Sequence, residues 1–370
     1  MMKSLFSFRL YREGLHRQRL GGVVAAIVML ISLNNPITSL VTYWMVGDTG
    51  MVDTIALTPT HLISPLCLLM PYAVACSAAA YSFMLQRNAC DFYDALPYRR
   101  LSIYFNFLLG ALTWIVGIAV VCFGLRCLFY SLCPHFVYDL GDAILALVSA
   151  VASCLFVFAC STLAYTCAGN KVSYIAIFGI FFLDARVVAS AWLDTIGEVA
   201  PHFDVSASPL VVLSWDYFLP WSLLNSAVDI ITDKGVVLNP VAISYYFITA
   251  LGLMILGGLA YVKRPGTTPR NPATSPQMQH LWRMLVTLPF AVQVASGILL
   301  HTNDFLEGDL WTFSLAVLLP LVATIGAYFL YELFSAGKLR QIKSLLLHLL
   351  WMLVPMVVFA LSVLITKWIV

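Results

Sequence analysis

Long runs of apolar residues, separated by short polar segments, dominate the chain. A helix of about 20 apolar residues is long enough to cross the hydrocarbon core of a bilayer. Nine runs of this kind occur, near residues 20–44, 62–86, 101–125, 143–168, 172–193, 241–262, 283–300, 311–334 and 345–369. The pattern predicts an all-α integral membrane protein with about nine transmembrane helices.

The composition agrees with a chain whose surroundings are lipid. Of its 370 residues, 61% are hydrophobic and only 10% are charged, whereas soluble domains average about 25% charged residues. The nine cysteines lie mostly in apolar runs and show neither Cys-x-x-Cys nor Cys/His metal spacing. We interpret them as small buried side chains and predict no metal site.

The charges are distributed unevenly between alternate polar segments, and this predicts the orientation. With the N-terminus in the cytoplasm, all but four of the 20 basic residues face the cytoplasm, the exceptions being Arg126, Arg186, Lys234 and Lys367. All but four of the 18 acidic residues then lie outside, the exceptions being Glu13, Asp91, Asp94 and Glu332. This bias follows the positive-inside rule. The first run has no small-residue cleavage site, so we expect it to be a retained span.

Residues 1–19 are predicted to form a cytoplasmic helix that lies on the inner leaflet. At 100° per residue, Phe8, Tyr11 and Leu15 form an apolar stripe. The basic stripe beside it includes Arg9, Arg12 and Arg19, whose cations would lie near anionic headgroups. A basic topology signal without an interfacial helix is the alternative.

Residues 194–240 are predicted to lie on the extracytoplasmic side. Part of this segment is apolar enough for a tenth span, but Asp216 and Pro220 oppose that interpretation. An aspartate at bilayer depth costs about 2.5–3.5 kcal/mol on insertion scales, and proline interrupts a helix. We therefore expect a re-entrant or interfacial hairpin here.

Residues 263–280 contain four prolines and no apolar run, which predicts an extended cytoplasmic linker. The linker divides the chain into a six-helix transmembrane core at 20–262 and three additional transmembrane helices at 281–370. We find no convincing sequence repeat between the two parts.

Four polar residues inside or at the edge of predicted spans are candidates for a translocation path. Asn34 and Asn35 interrupt the first span, and buried amides in lipid need partners or water. Packing against the second span explains them equally well. Asp184 and Arg186, near the outer end of the fifth span, would either bind substrate or form an ion pair with each other; we favour the ion pair.

Catalytic signatures do not occur in the sequence. It contains no Gly-x-x-x-x-Gly-Lys-Ser/Thr, no His-Glu-x-x-His and no Gly-x-Ser-x-Gly. We therefore predict no catalytic residues and no cofactor bound by this chain, so that a membrane-embedded enzyme is the least favoured class. A non-transporting membrane scaffold or immunity protein is the other alternative to a transporter subunit.

Residues 87–100, RNACDFYDALPYRR, are a polar segment between the second and third spans. Asp91 is predicted to cap a short helix, 91–96, which ends before Pro97. On this helix Phe92, Tyr93 and Leu96 would project into the cytosol as anchors for a groove on another protein. An ordinary loop whose arginines satisfy the topology rule is the alternative.

The same segment resembles the R-N-x-x-D-F-Y-x-x-L-P-x-x-R element of bacterial ABC-2-type transporter permeases, the membrane subunits of ATP-binding-cassette exporters. The matching residues are Arg87, Asn88, Asp91, Phe92, Tyr93, Leu96, Pro97 and Arg100, with Arg99 beside the last of them. The resemblance implies that this loop docks on a separate ATPase subunit, which holds ATP and Mg²⁺.

The resemblance further implies a multi-pass protein of the bacterial cell membrane that acts as a homodimer or pairs with a related permease. We expect the lipid bilayer to surround the chain, and we expect no nucleic-acid partner. Three spans follow the linker, whereas the minimal core of that family has six spans altogether. Longer relatives continue past such spans, so the chain is expected to be short by comparison with them.

Overall fold

The computed structural model describes residues 5–33, 36–38, 40–41, 44, 55–56, 64–132, 136–205, 208–213, 218–220, 239–265, 273, 275–307, 309–336 and 350–369. Among these residues nine helical segments are long and apolar enough to cross a membrane: Phe8–Thr38, Pro65–Leu85, Arg100–Ser131, Leu140–Cys167, Lys171–Val199, Pro240–Lys263, Gln277–Thr302, Trp311–Ser335 and Leu350–Ile369. They follow the nine predicted runs in order. The prediction of a helical chain with about nine segments able to span a bilayer is confirmed.

The secondary structure is almost entirely helical. In chain order the α-helices are α1 (Phe8–Ile31), α2 (Leu69–Tyr81), α3 (Arg87–Asp94), α4 (Arg100–Ser131), α5 (Leu140–Cys167), α6 (Lys171–Gly179), α7 (Ala185–Val199), α8 (Pro240–Lys263), α9 (Pro276–Glu307), α10 (Leu310–Ala336) and α11 (Leu353–Ile369). Short 3₁₀ turns occur at Ser64–Leu68, Ser82–Leu85, Pro209–Leu213 and Leu350–Met352. A π-helical turn, Ile180–Asp184, joins α6 to α7. Two short strands, β1 (Ile55–Ala56) and β2 (Phe136–Val137), pair in parallel.

The chain folds into two compact units. The first comprises Met1–Phe83, Phe92–Thr166 and Asp216–Lys263; the second comprises Met84–Asp91, Cys167–Trp215 and Arg264–Val370. The fifth span, Lys171–Val199, therefore belongs to the same unit as the last three spans. This grouping differs from the predicted division of the sequence into residues 20–262 and 281–370. The units are defined by which residues lie close together in space, whereas the predicted division was defined by position along the chain.

In the first unit α1 lies beside α4 and runs parallel to it. Near the start of both helices the Ser102 hydroxyl donates to the Leu5 carbonyl at 2.7 Å. Near their ends the Arg126 guanidinium donates to the Ser32 carbonyl at 3.1 Å. Because both contacts advance in the same direction along the two helices, α1 accompanies α4 over most of its length.

Two glycines let the backbones of α1 and α4 approach closely. A Cβ on Gly110 would lie 3.0 Å from the carbonyl carbon of Gly14, and a Cβ on Gly14 would lie 3.3 Å from the carbonyl oxygen of Asn106. Small residues at a helix–helix contact permit this kind of packing in membranes, where lipid competes for apolar side chains. The glycines therefore fix where α1 meets α4.

The first helix differs from the prediction in one respect. It continues without a break through residues 19 and 20, so no helix end separates the described part of residues 1–19 from the first span. Its buried residues are Leu10, Gly14, Gln18, Gly22 and Met29. The buried face of α1 is the face that packs against α4. Phe8 of the predicted apolar stripe is 68% exposed, and its contact with lipid stays a prediction. Arg9, Arg12 and Arg19 are exposed, and their contact with headgroups stays a prediction.

The core of the second unit joins α7, α9 and α11. Its buried apolar residues are Ala191, Ile196, Ala200, Val292, Ala295, Phe359 and Val363. Polar side chains also link these helices, since Thr195 and Ser296 share a hydroxyl–hydroxyl hydrogen bond of 2.7 Å and the Trp192 indole donates to Ser362 at 3.1 Å. These contacts hold the fifth span against the seventh and the ninth.

Several predicted features lie outside the described residues. They include Asn34 and Asn35, most of the predicted hairpin (214–217 and 221–238) and eight of the 18 residues of the predicted linker (266–272 and 274).

Asp309 caps α10 outside the membrane-spanning segments and should make its stability depend on pH. The Thr312 hydroxyl donates to the Asp309 carboxylate at 2.7 Å, and the Thr312 backbone N–H donates at 3.3 Å. These hydrogen bonds hold the pKa of the Asp309 carboxyl below its ordinary value. Because the folded state favours the charged form, we expect a stabilising contribution that is complete above about pH 4 and is lost as the pH falls further, through the folded-state pKa.

Thermal unfolding in detergent, measured from about pH 6 down to about pH 3, checks this expectation. Asp309→Asn should keep an oxygen at the cap position and lose the acid sensitivity that wild type shows, whereas Asp309→Ala should be less stable than wild type above about pH 4. If Asp309→Asn loses stability at low pH as wild type does, other carboxyls are responsible for the acid sensitivity and the expectation is contradicted.

Candidate functional site

The segment that carries the resemblance forms helix α3, but its limits differ from those predicted. The helix begins at Arg87 and ends at Asp94. The Cys90 N–H donates to the Gln86 carbonyl at 2.9 Å, so the hydrogen-bonded turns begin five residues before Asp91. Asp91 therefore lies inside the helix, and the prediction that it caps a helix at 91–96 is wrong. Gln86 supplies the first carbonyl instead.

The two faces of α3 differ in exposure. Four residues of the resemblance motif lie together on the exposed face, at positions i, i+1, i+4 and i+5: Arg87, Asn88, Asp91 and Phe92. Phe92 is the large apolar residue among them and is 60% exposed. Cys90 and Tyr93, three residues apart, are on the buried face, with exposures of 4% and 5%. The motif is thus divided between an exposed face and a packed face.

Tyr93 is buried within the first unit, so the prediction that it projects into the cytosol is wrong. Its ring centroid lies 4.3 Å from that of Phe83 and 5.7 Å from that of Phe107 on α4. The Arg17 guanidinium of α1 lies over the ring, 4.9 Å from the centroid, and its Nη2 also contacts the Tyr93 hydroxyl. Aromatic neighbours and a cation over the ring favour this position over water.

The chain after α3 leads directly into α4. Leu96 is half-buried and its N–H donates to the Tyr93 carbonyl at 3.3 Å, while Pro97 is exposed. The Arg100 guanidinium donates to the Asp94 carboxylate at 2.7 Å. Arg99 is exposed and extended, with φ −70° and ψ 141°, immediately before α4.

The Asp94–Arg100 ion pair joins the end of α3 to the first turn of α4. Its two side chains are 24% and 33% exposed, and pairs this accessible to water contribute at most about 1 kcal/mol. The packing of the buried Tyr93 ring therefore holds the end of α3 more firmly than this ion pair does.

Asp184 and Arg186 do not form the predicted ion pair. The Arg186 guanidinium is buried and donates to the Leu213 carbonyl at 3.3 Å. Asp184 Oδ2 is buried and has no hydrogen-bond partner among the described residues. The fifth span also ends at Val199, later than predicted, so that Asp184 lies near its middle and not near its outer end. Side chains two residues apart on a helix point in different directions, which explains why the two do not meet.

The sequence did not reveal two side-chain contacts, those of Arg17 and Glu332. Arg17 lies in the basic N-terminal segment and reaches the buried face of α3. Glu332, which the charge distribution places on the cytoplasmic side, is 3% exposed and pairs with Arg283. The signal for this second pair was available, because opposite charges on two neighbouring predicted spans need partners in lipid.

In the described part of the chain, no three His, Cys, Asp or Glu side chains come together as metal ligands would. No disulfide bond joins any of the described cysteines.

The nine long apolar helices of the described chain indicate a multi-pass membrane protein. No protein-family model matches the sequence, and no curated protein or solved structure is similar to it.

Proposed function

We propose that the chain is the permease subunit of an ATP-binding-cassette exporter in a bacterial cell membrane. A separate subunit would bind ATP and Mg²⁺ and hydrolyse the nucleotide. Two permeases, identical or related, would line the path between them. The N-terminus and α3 would then face the cytoplasm, as the distribution of charge predicts.

The observation that carries the proposal is the exposed face of α3. Arg87, Asn88, Asp91 and Phe92 present a guanidinium, an amide, a carboxylate and an aromatic ring on one side of a short helix. Aromatic and arginine side chains contribute most to protein–protein affinity when they fill a pocket on the partner. This face suits the docking role that the resemblance implies.

The buried face of α3 suggests how a movement of the partner would reach the membrane. Tyr93 contacts Phe83, at the end of the second span, together with Phe107 of α4 and Arg17 of α1. A displacement of Tyr93 would therefore act on three membrane-spanning segments of the first unit at once. Rigid movement of packed helices is one established way in which an event at a surface site alters a distant part of a protein, here the translocation path.

The proposal predicts that an ATPase subunit binds this chain through Phe92. The tagged chain is purified from cells that express it at native level together with its genomic neighbours, and bound proteins are identified by mass spectrometry. We expect a P-loop ATPase, and we expect Phe92→Ala to weaken its binding by about 30-fold, as loss of a central aromatic anchor does. Phe8→Ala is the matched control, because Phe8 is 68% exposed but lies outside the motif.

Two results would contradict the proposal. One is a wild-type preparation that hydrolyses no ATP and contains no P-loop protein under these conditions. The other is equal retention of the ATPase by Phe92→Ala and Phe8→Ala, which would remove α3 as the docking element. Thermal unfolding of each variant separates loss of docking from loss of folding.

A further inference from the structure

A cavity of about 360 Å³ lies in the second unit between the fifth span and α9. Its walls are apolar apart from two side chains, the Asp184 carboxyl and the Gln293 amide. Leu183 and Phe290 at its edge are 37% and 39% exposed, so the cavity opens on the surface of this unit. Its volume lies within the range of sites that hold small ligands.

Asp184 occupies a costly position in this cavity. It lies near the middle of the span Lys171–Val199, and its Oδ2 is buried without a hydrogen-bond partner among the described residues. A carboxylate at that depth costs about 2.5–3.5 kcal/mol on insertion scales, and ionisable residues in spans commonly mark a ligand or ion site. Arg186, the nearest cation in sequence, donates to Leu213 instead.

The helical backbone around Asp184 is irregular, as it often is at a ligand-binding position. Ile180–Asp184 is a π-helical turn, a feature found often at functional positions in helices. On the other wall, Pro289 lies within α9. A proline has no N–H and interrupts the regular hydrogen bonding of the helix on this wall. The polar groups that line the apolar cavity are the Asp184 carboxyl and the Gln293 amide.

We propose that this cavity binds a membrane-dissolved hydrophobic amine. The ammonium group donates to Asp184 and to the Gln293 oxygen, and the alkyl or aryl part packs against Leu183 and Phe290. A cation supplies the charge opposite to that of the Asp184 carboxylate together with N–H donors, whereas an alcohol supplies a donor without charge and an anion would meet the Asp184 carboxylate. The inference needs no ATPase, so it stands or fails separately from the proposed function.

The test measures binding of radiolabelled dodecylamine to the full chain in phosphatidylcholine nanodiscs, with dodecanol as the neutral probe. We expect saturable binding of dodecylamine, at about one molecule per chain, and at least about tenfold weaker binding of dodecanol. Asp184→Asn should lose about tenfold or more in affinity for the amine. Glu198→Gln is the matched control, because it removes an exposed carboxyl from the same span.

A second variant tests the cavity without changing its charge. Gly179 lines the cavity, and a Cβ built on it meets no atom within 4 Å. Gly179→Leu should therefore fold normally, fill the space and abolish saturable amine binding.

Three outcomes would overturn the proposal. They are partitioning of dodecylamine into the nanodisc lipid only, equal affinity of wild type and Asp184→Asn, and a change of oligomeric state in Gly179→Leu. The last result would show that a second copy of the chain covers the cavity.

Discussion

Replacing Glu332 with glutamine should lower the free energy of unfolding by about 3–5 kcal/mol, because it leaves a buried guanidinium without its counter-charge. Arg283 Nε lies 2.6 Å from Glu332 Oε2, and the two side chains are only 9% and 3% exposed. The Gln279 amide donates to the same carboxylate at 3.1 Å. Glutamine keeps the shape of the side chain and removes its charge. The decrease in the free energy of unfolding therefore measures the contribution of charge pairing.

Arg283 has further contacts besides Glu332. His280 Nδ1 lies 3.2 Å from Arg283 Nη1, and the Tyr328 hydroxyl also interacts with the guanidinium. Removing the Glu332 charge would leave the buried guanidinium with these contacts but without the carboxylate, which is why the expected loss of stability is large.

An exposed pair of the same type supplies the control. Glu13 and Arg17 lie 3.1 Å apart, but their side chains are 50% and 28% exposed. Glu13→Gln should cost no more than about 1 kcal/mol. The double variant Arg283→Met/Glu332→Leu should be more stable than Glu332→Gln, because no charge is then left buried. Denaturant titration in detergent micelles measures all three, and equal losses for Glu332→Gln and Glu13→Gln would contradict the buried pair.

Gly297→Ala should lower the free energy of unfolding by about 1–3 kcal/mol, the range for overpacking at a close contact. A Cβ at this position would lie 3.0 Å from the carbonyl carbon of Ala316 and closer still to its carbonyl oxygen. The obstacle is backbone and cannot rotate away. Helices α9 and α10 would have to separate to admit a single methyl group.

Gly326→Ala is the matched control for this prediction. Gly326 lies on α10, and a Cβ there meets no atom within 4 Å. Alanine is favoured over glycine inside a helix by about 0.5–1 kcal/mol, so this variant should be as stable as wild type or slightly more stable. If the two variants unfold alike in the same micelles, the close approach of α9 and α10 at Gly297 is not formed.

The sequence by itself determined the membrane-spanning helices, because the requirement that creates them is local. A backbone in lipid must satisfy its own hydrogen bonds, so each apolar run becomes a helix whatever surrounds it. The polar segment at 87–100 could also be recognised, since a short helix ending before a proline depends on near neighbours. The exposed position of Phe92 followed from the same local pattern.

The tertiary structure alone decided which side chains meet. Tyr93 is buried because Phe83, Phe107 and Arg17 surround it, and Arg17 is 76 residues away in the chain. Glu332 of α10 forms its ion pair with Arg283 of α9, a different helix. An apolar run shows that a helix lies in lipid, but only the packing of one helix on another determines which of its faces is covered and which of its charges is paired.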